Sequence, residues 1–150
     1  MANRRTHRTF GVIAGAALAF ALSKGQPLLH RIFEIIGGAI AGLISALLPD
    51  MFEPADSPNH RSLFHGLLPN TLLIIYCARR LRPSQFSLRS RADNHADLAR
   101  RAQTTGLKLW HRSLEFFCRF FAGAVAGALA GYGSHLALDA ITPRSLPPIA

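Results

Sequence analysis

The sequence predicts an all-α fold, an integral membrane bundle of about four helices. Of its 150 residues, 49% are hydrophobic and only 17% are charged, and the mean hydropathy of +0.20 is high for a water-soluble protein. The apolar residues form long runs without the alternation of polar and apolar side chains that is typical of strands. These observations predict a single helical membrane domain that covers residues 1–150.

The apolar runs predict helices at residues 9–23, 32–48, 63–77 and 114–140. The first three are shorter than the roughly 20 residues that cross a bilayer comfortably, so tilting or extension by flanking turns is expected. Because proline lacks a backbone N–H, Pro49 and Pro143 are expected to end the second and fourth helices. Pro69 is expected to kink the third helix for the same reason.

A polar connector, residues 78–112, is predicted between the third and fourth helices. It is expected to be exposed and partly helical, since residues 92–103 have a helical composition, and it contains nine of the seventeen Lys and Arg residues. The net charge of +9 would suit a nucleic-acid partner, but the connector offers only Phe86 and Trp110 as aromatic platforms, so no nucleic acid is expected. The basic connector is instead expected to contact lipid head groups, and its charge favours the cytoplasmic side for this end of the protein. The alternative is the reverse orientation, which is favoured by three N-terminal arginines: Arg4, Arg5 and Arg8.

Small residues recur every four positions on three of the predicted helices, and a potential metal ligand extends each series. The series are Gly11 and Gly15; Gly38, Gly42 and Ala46; and Gly123, Gly127 and Gly131. One further step of four reaches His7, Asp50, and His135 followed by Asp139. Four residues advance a helix by about 400°, so the close-packing face is also the ligand face. The alternative is chance, because glycine is frequent in membrane helices.

Consecutive crossings of the membrane would place the potential ligands on one membrane face. Asp56 lies in the predicted loop between the second and third helices. The expected metal ligands are His7, Asp50, Asp56, His60, His65, His135 and Asp139. Imidazole with carboxylate favours zinc, with manganese or iron as alternatives, over calcium. These groups outnumber the ligands of one tetrahedral zinc ion, which favours two ions over one. The alternative for Asp139 is that it only orients His135 by a hydrogen bond.

Two residues have expected catalytic roles. Asp56 is expected to bind metal or to accept a proton from water, with an ordinary turn residue as the alternative, and Glu53 is a second possible base. Arg61 is expected to contact an anionic substrate, with a lipid phosphate as the alternative partner. Three histidines are expected at solvated or interfacial positions outside the site: His30, His95 and His111.

Several of these residues lie in longer motifs. The motifs are Thr6-His7, LPD at Leu48 to Asp50 followed by Asp56, HRSLFH at His60 to His65, and GSHLALDAITPRSLPPI from Gly133 to Ile149. Together they resemble the YdjM-like membrane-bound metal-dependent hydrolases, a family of small bacterial inner-membrane proteins. The family usually has HRGxTHS where this chain has HRSLFHG, so the histidines and the arginine match but the small residues around them differ.

The resemblance implies a multi-pass protein of the bacterial inner membrane that acts as a metal-dependent hydrolase. A site at a membrane face favours a lipid or another amphiphile as the substrate, cleaved at a phosphoester or ester bond with one or two divalent ions. The alternative is a non-catalytic membrane protein, either a metal-stapled scaffold or a carrier of metal or other ions.

Overall fold

The computed structural model describes residues 4–52 and 67–141, and every regular element in these two ranges is a helix. The helices are α1 (Arg4–Leu22), α2 (Leu28–Ser45), α3 (Leu48–Phe52), α4 (Leu67–Arg101) and α5 (Thr105–Ala140). α2 packs between α1 and α5, α1 also contacts α5, and α4 runs along α5. The prediction of an all-α bundle is confirmed.

The predicted series of small residues form the faces on which the helices pack. The buried residues of α1 lie four positions apart: His7, Gly11, Gly15 and Ala19. The buried residues of α5 include the same step: Gly123, Gly127, Gly131, His135 and Asp139. The ligand candidates on these two helices therefore lie on the packing faces, as the spacing predicts.

Glycine allows the helix backbones to touch. A Cβ atom added at Gly11 would lie 2.5 Å from the Cβ of Ala46, and one added at Gly38 would lie 2.5 Å from the Cβ of Ala19. A Cβ at Gly127 would overlap the backbone carbonyl of Gly38. Backbone atoms cannot rotate away as side chains do, so any larger residue at these positions has to separate the helices.

The Gly127→Ala variant is expected to be less stable than the wild type by about 1–3 kcal/mol, because the added methyl group overpacks the contact with α2. Gly133→Ala is the matched control on the same helix, since a Cβ there meets no atom within 4 Å. The control is expected to keep or slightly raise stability through the higher helix propensity of alanine. Thermal unfolding in detergent measures both, and equal melting temperatures would contradict the close contact.

The stretch predicted as a polar connector, residues 78–112, is helical over most of its length. α4 continues to Arg101 and α5 begins at Thr105, so only residues 102–104 join them. Residues 67–77 of the predicted third helix therefore form the beginning of α4, and residues 63–66 lie outside the described residues. Ala92, Ala96 and Ala99 are buried at helical spacing, and the surrounding Arg, Leu and Ala residues favour helix. The helix predicted from the composition of residues 92–103 is therefore present, but it is part of a longer amphipathic helix that packs on α5 rather than of an exposed connector.

Helix ends differ from the predicted bounds for local reasons. α2 ends at Ser45, and Pro49 lies within the short helix α3. Pro69 lies in the first turn of α4, where a missing N–H removes no helical hydrogen bond, so the expected cause of a kink is absent there. α5 begins earlier than residue 114 because the Thr104 side chain accepts a hydrogen bond from the backbone N–H of Leu107. Pro143 lies outside the described residues.

Two of the described helical segments are long and apolar enough to cross a membrane. They are Leu28–Phe52, which combines α2 and α3, and Thr105–Ala140, with mean hydropathies of 1.9 and 1.4. α4 does not meet this criterion, since seven arginines lie along it. Large apolar side chains are exposed on the outer faces of α1 and α2, as expected for helices in lipid: Phe10, Ile13, Phe20, Ile36, Ile40 and Ile44.

Candidate metal centre

Two histidines and two aspartates meet at one end of the bundle. His7 lies at the start of α1, Asp50 lies in α3, and His135 and Asp139 lie near the end of α5. The side chains of His7, His135 and Asp139 are completely buried, whereas that of Asp50 is 31% exposed. Asp50 therefore lies where the site opens to the surroundings.

The polar atoms of these four residues lie within a few ångströms of one another. The Asp139 carboxylate has one oxygen 3.5 Å from Nε2 of His7 and the other 3.3 Å from Nε2 of His135. Nε2 of His135 is also 3.6 Å from Oδ1 of Asp50. The two imidazole rings stack with their centroids 4.0 Å apart and their planes 23° from parallel. Asp139 thus lies against both histidines.

The backbone of the α2–α3 junction orients His135. Its Nδ1 lies 2.7 Å from the carbonyl oxygen of Ala46, which can only accept a hydrogen bond, so Nδ1 carries the proton. The other ring nitrogen, Nε2, faces carboxylate oxygens of Asp50 and Asp139. A metal ion would be attracted by the two carboxylates and could bind this nitrogen. A backbone carbonyl on the second ring nitrogen is also the usual support of a metal-binding histidine.

His7 supports the same interpretation. It is completely buried, and neither of its ring nitrogens makes a hydrogen bond to any residue in the described ranges. Leaving a buried polar group without such a bond costs about 1–3 kcal/mol. Ligation of a metal by Nε2, the nitrogen that faces Asp139, would remove this penalty for that nitrogen.

One divalent ion could bind His7, His135 and Asp139 together. One ligand atom from each residue lies within 4.8 Å of the other two. Ligand atoms on one tetrahedral ion are about 3.3 Å apart, so small side-chain movements would complete the coordination. Nitrogen and oxygen donors of this kind suit zinc, manganese and iron alike.

Comparison with known proteins places the chain in a family. The model of the family described as YdjM inner membrane protein matches residues 1–150. The chain belongs to this family. No curated protein and no solved structure matched it. For this YdjM family member, the family description and the two apolar helices together support a location in the inner membrane.

Four of the expected site residues of this YdjM family member lie outside the described residues: Asp56, His60, Arg61 and His65. Their roles as ligands, base or anion contact stay predictions. The described part of the chain brings together His7, Asp50, His135 and Asp139.

A second polar cluster, at the opposite end of the bundle, was missed by sequence reasoning. Arg89 of α4 forms two hydrogen bonds with the completely buried carboxylate of Glu34, at 2.9 and 2.6 Å, and a third with the carbonyl of Leu22. Arg119, which is 1% exposed, pairs with Asp93 at 2.5 Å. The sequence contained a signal, because a backward step of four from Gly38 and Gly123 reaches Glu34 and Arg119.

Proposed function

We propose that this protein is a membrane-bound metal-dependent hydrolase of the bacterial inner membrane, which cleaves a phosphoester or ester bond of a lipid or another amphiphile. The observation that carries the proposal is the convergence of His7, His135, Asp139 and Asp50, with His135 oriented by the Ala46 carbonyl. A divalent ion held by these residues would supply Lewis acidity, which activates water and polarises a phosphoryl or acyl oxygen.

The chain's own residues would divide the remaining work. His7, His135 and Asp139 are buried and hold the ion from α1 and α5, while the partly exposed Asp50 lies at the opening where a substrate would enter. We assign to Asp56 the acceptance of a proton from water and to Arg61 the binding of an anionic group, as the sequence predicts. Zinc is the ion we favour.

An apolar groove beside the site supports an amphiphilic substrate. The groove has a volume of about 430 Å³, within the range of small-molecule sites, and residues of α2, α3, α4 and α5 line it. Its wall includes Ser45 and Leu48, the first next to Ala46 and the second two residues before Asp50. A chain of methylene groups in this groove would therefore lie close to the metal ligands. Ala128, an exposed residue of α5, also lines it.

Hydrolysis of two p-nitrophenyl phosphodiesters, one with a hexadecyl and one with a methyl group, tests this proposal. Zinc- or manganese-loaded protein in detergent is expected to cleave the hexadecyl compound faster, and a chelator or Asp139→Ala is expected to stop cleavage of both. Ala128→Trp fills the groove and is expected to slow only the hexadecyl compound. Ala17→Trp, at an exposed position of α1 outside the groove, is the matched control.

The second candidate is a non-catalytic scaffold in which the ion only staples the helices. The complete burial of His7, His135 and Asp139 favours it, because a structural metal needs no open position. Metal-loaded protein that cleaves neither phosphodiester nor p-nitrophenyl palmitate would support the scaffold and exclude the esterase and phosphodiesterase versions of the hydrolase. A carrier would need polar groups along a path across the bilayer. It is disfavoured, because the residues that α2 buries between Glu34 and the site are glycines and one serine.

A further inference from the structure

A pair of histidines on α4 and α5 lies outside the site described above. His95 of α4 and His111 of α5 approach each other with their Nδ1 atoms 3.2 Å apart, and both side chains are half-buried. The ring planes are 24° from parallel. The three-residue connection 102–104 joins the two helices into a hairpin, so the histidine pair links the two helices near the closed end of that hairpin.

The separation of the two nitrogens fits a shared ion. Two nitrogens bound to one tetrahedral ion at about 2.0–2.1 Å are about 3.3 Å apart. The observed 3.2 Å is close to that value and is at the long end of the range for hydrogen bonds. A cation between the nitrogens would attract both lone pairs, and imidazole is a preferred ligand of zinc, copper and nickel.

The hairpin around the pair is held by small side chains. The buried residues of α4 near its end are Ala92, Ala96 and Ala99, each of which removes little apolar area from water. His30, in the first turn of α2, contacts α5 at Glu115, one turn from His111, where its Nε2 lies 3.3 Å from the carboxylate. An interhelical ion at His95 and His111 would therefore stabilise a part of the hairpin that has few large packing contacts.

We propose that His95 and His111 form a second metal site, in which one divalent transition-metal ion bound to both Nδ1 atoms clamps the α4–α5 hairpin. Water would complete the coordination. This inference does not depend on the proposed hydrolase activity, and neither histidine contributes to the centre formed by His7, His135 and Asp139.

Zinc titration of the full chain by calorimetry, in a His135→Ala, Asp139→Ala background, tests the second site. His95→Gln and His111→Gln are each expected to abolish the same single equivalent of zinc, about one ion per chain, because both nitrogens are needed. Combining the two changes is expected to remove no more. His30→Gln, a histidine of the same end of the bundle outside the pair, is the matched control and is expected to keep that equivalent.

Hydrogen exchange supplies a readout that does not depend on stoichiometry. Zinc is expected to slow amide exchange severalfold in residues 92–101 and 105–113 of the background protein, and to leave these rates unchanged in His95→Gln. Glutamine keeps a hydrogen-bonding side chain of similar reach, so the variant is expected to fold. Equal zinc stoichiometry in the background protein and both single variants, or exchange that zinc does not alter, would overturn the proposal and leave a hydrogen-bonded histidine pair.

Discussion

Replacing His135 and Asp139 together by alanine is expected to remove the metal from the centre at the end of the bundle. Elemental analysis of detergent-purified protein should find about one to two equivalents fewer in the double variant than in the wild type. Both side chains are completely buried and lie within 3.3 Å of each other, so no exposed group can take their place without rearrangement of α5. Asp50→Asn, at the open side of the site, is expected to weaken metal affinity by a smaller factor of about 10–100.

His30→Ala is the control for this experiment, because His30 lies at the opposite end of the bundle, beside Glu115. It is expected to keep the full metal content. Circular dichroism of the double variant separates two roles of the ion. An enzyme is expected to keep most of its helical signal while losing metal, whereas a metal-stapled scaffold is expected to lose both. Equal metal content in all variants would reject the centre altogether.

The Arg89→Met variant is expected to lose about 3–5 kcal/mol of stability, because it leaves the carboxylate of Glu34 buried without its guanidinium partner. The loss of the hydrogen bond to the Leu22 carbonyl adds to the effect. The double variant Glu34→Met, Arg89→Met is expected to recover much of this loss, since two apolar side chains of similar size then pack where the ions were. Denaturant unfolding in detergent measures the three free energies.

Arg100→Met provides a matched control on the same helix. Arg100 pairs with Asp97 three residues away, and the two side chains are 66% and 49% exposed, so water screens the pair. Its removal is expected to change stability by less than about 1 kcal/mol. A similar effect of Arg89→Met and Arg100→Met would show that the Glu34–Arg89 pair is not buried in the folded protein.

Sequence spacing and topology predicted the core of this fold and the four residues that meet in the described part of the candidate centre. The step of four from His7 to Gly15 and from Gly123 to Asp139 follows from helix geometry alone, so it identified both the packing faces and the ligands on them. Consecutive antiparallel helices were enough to place Asp50 at the same end. These features depend on local periodicity and simple topology, which a sequence contains in full.

Features that depend on contacts between distant residues were not predictable in the same way. The second half of α4 was predicted to be an exposed, partly helical connector, because its charge hides the alanine spacing that packs it on α5. Arg89 and Glu34 are 55 residues apart, and nothing in either local sequence specifies the partner. The pairing of His95 with His111 needs the register of the α4–α5 hairpin, which the three-residue connection sets only once both helices are formed.

The glycine contacts of α5 have a further consequence for how length changes would act on this chain. The packing residues and the metal ligands of α5 lie on the same side of the helix, since Gly131 contacts α2 and His135 follows four residues later on that side. A single residue inserted between them would rotate the ligands by about 100° while leaving hydropathy and composition almost unchanged. An insertion of four residues would rotate them by only about 40° and shift them by about 6 Å along the axis. The number of residues between the packing glycines and the ligands therefore affects the centre more than the identity of those residues does.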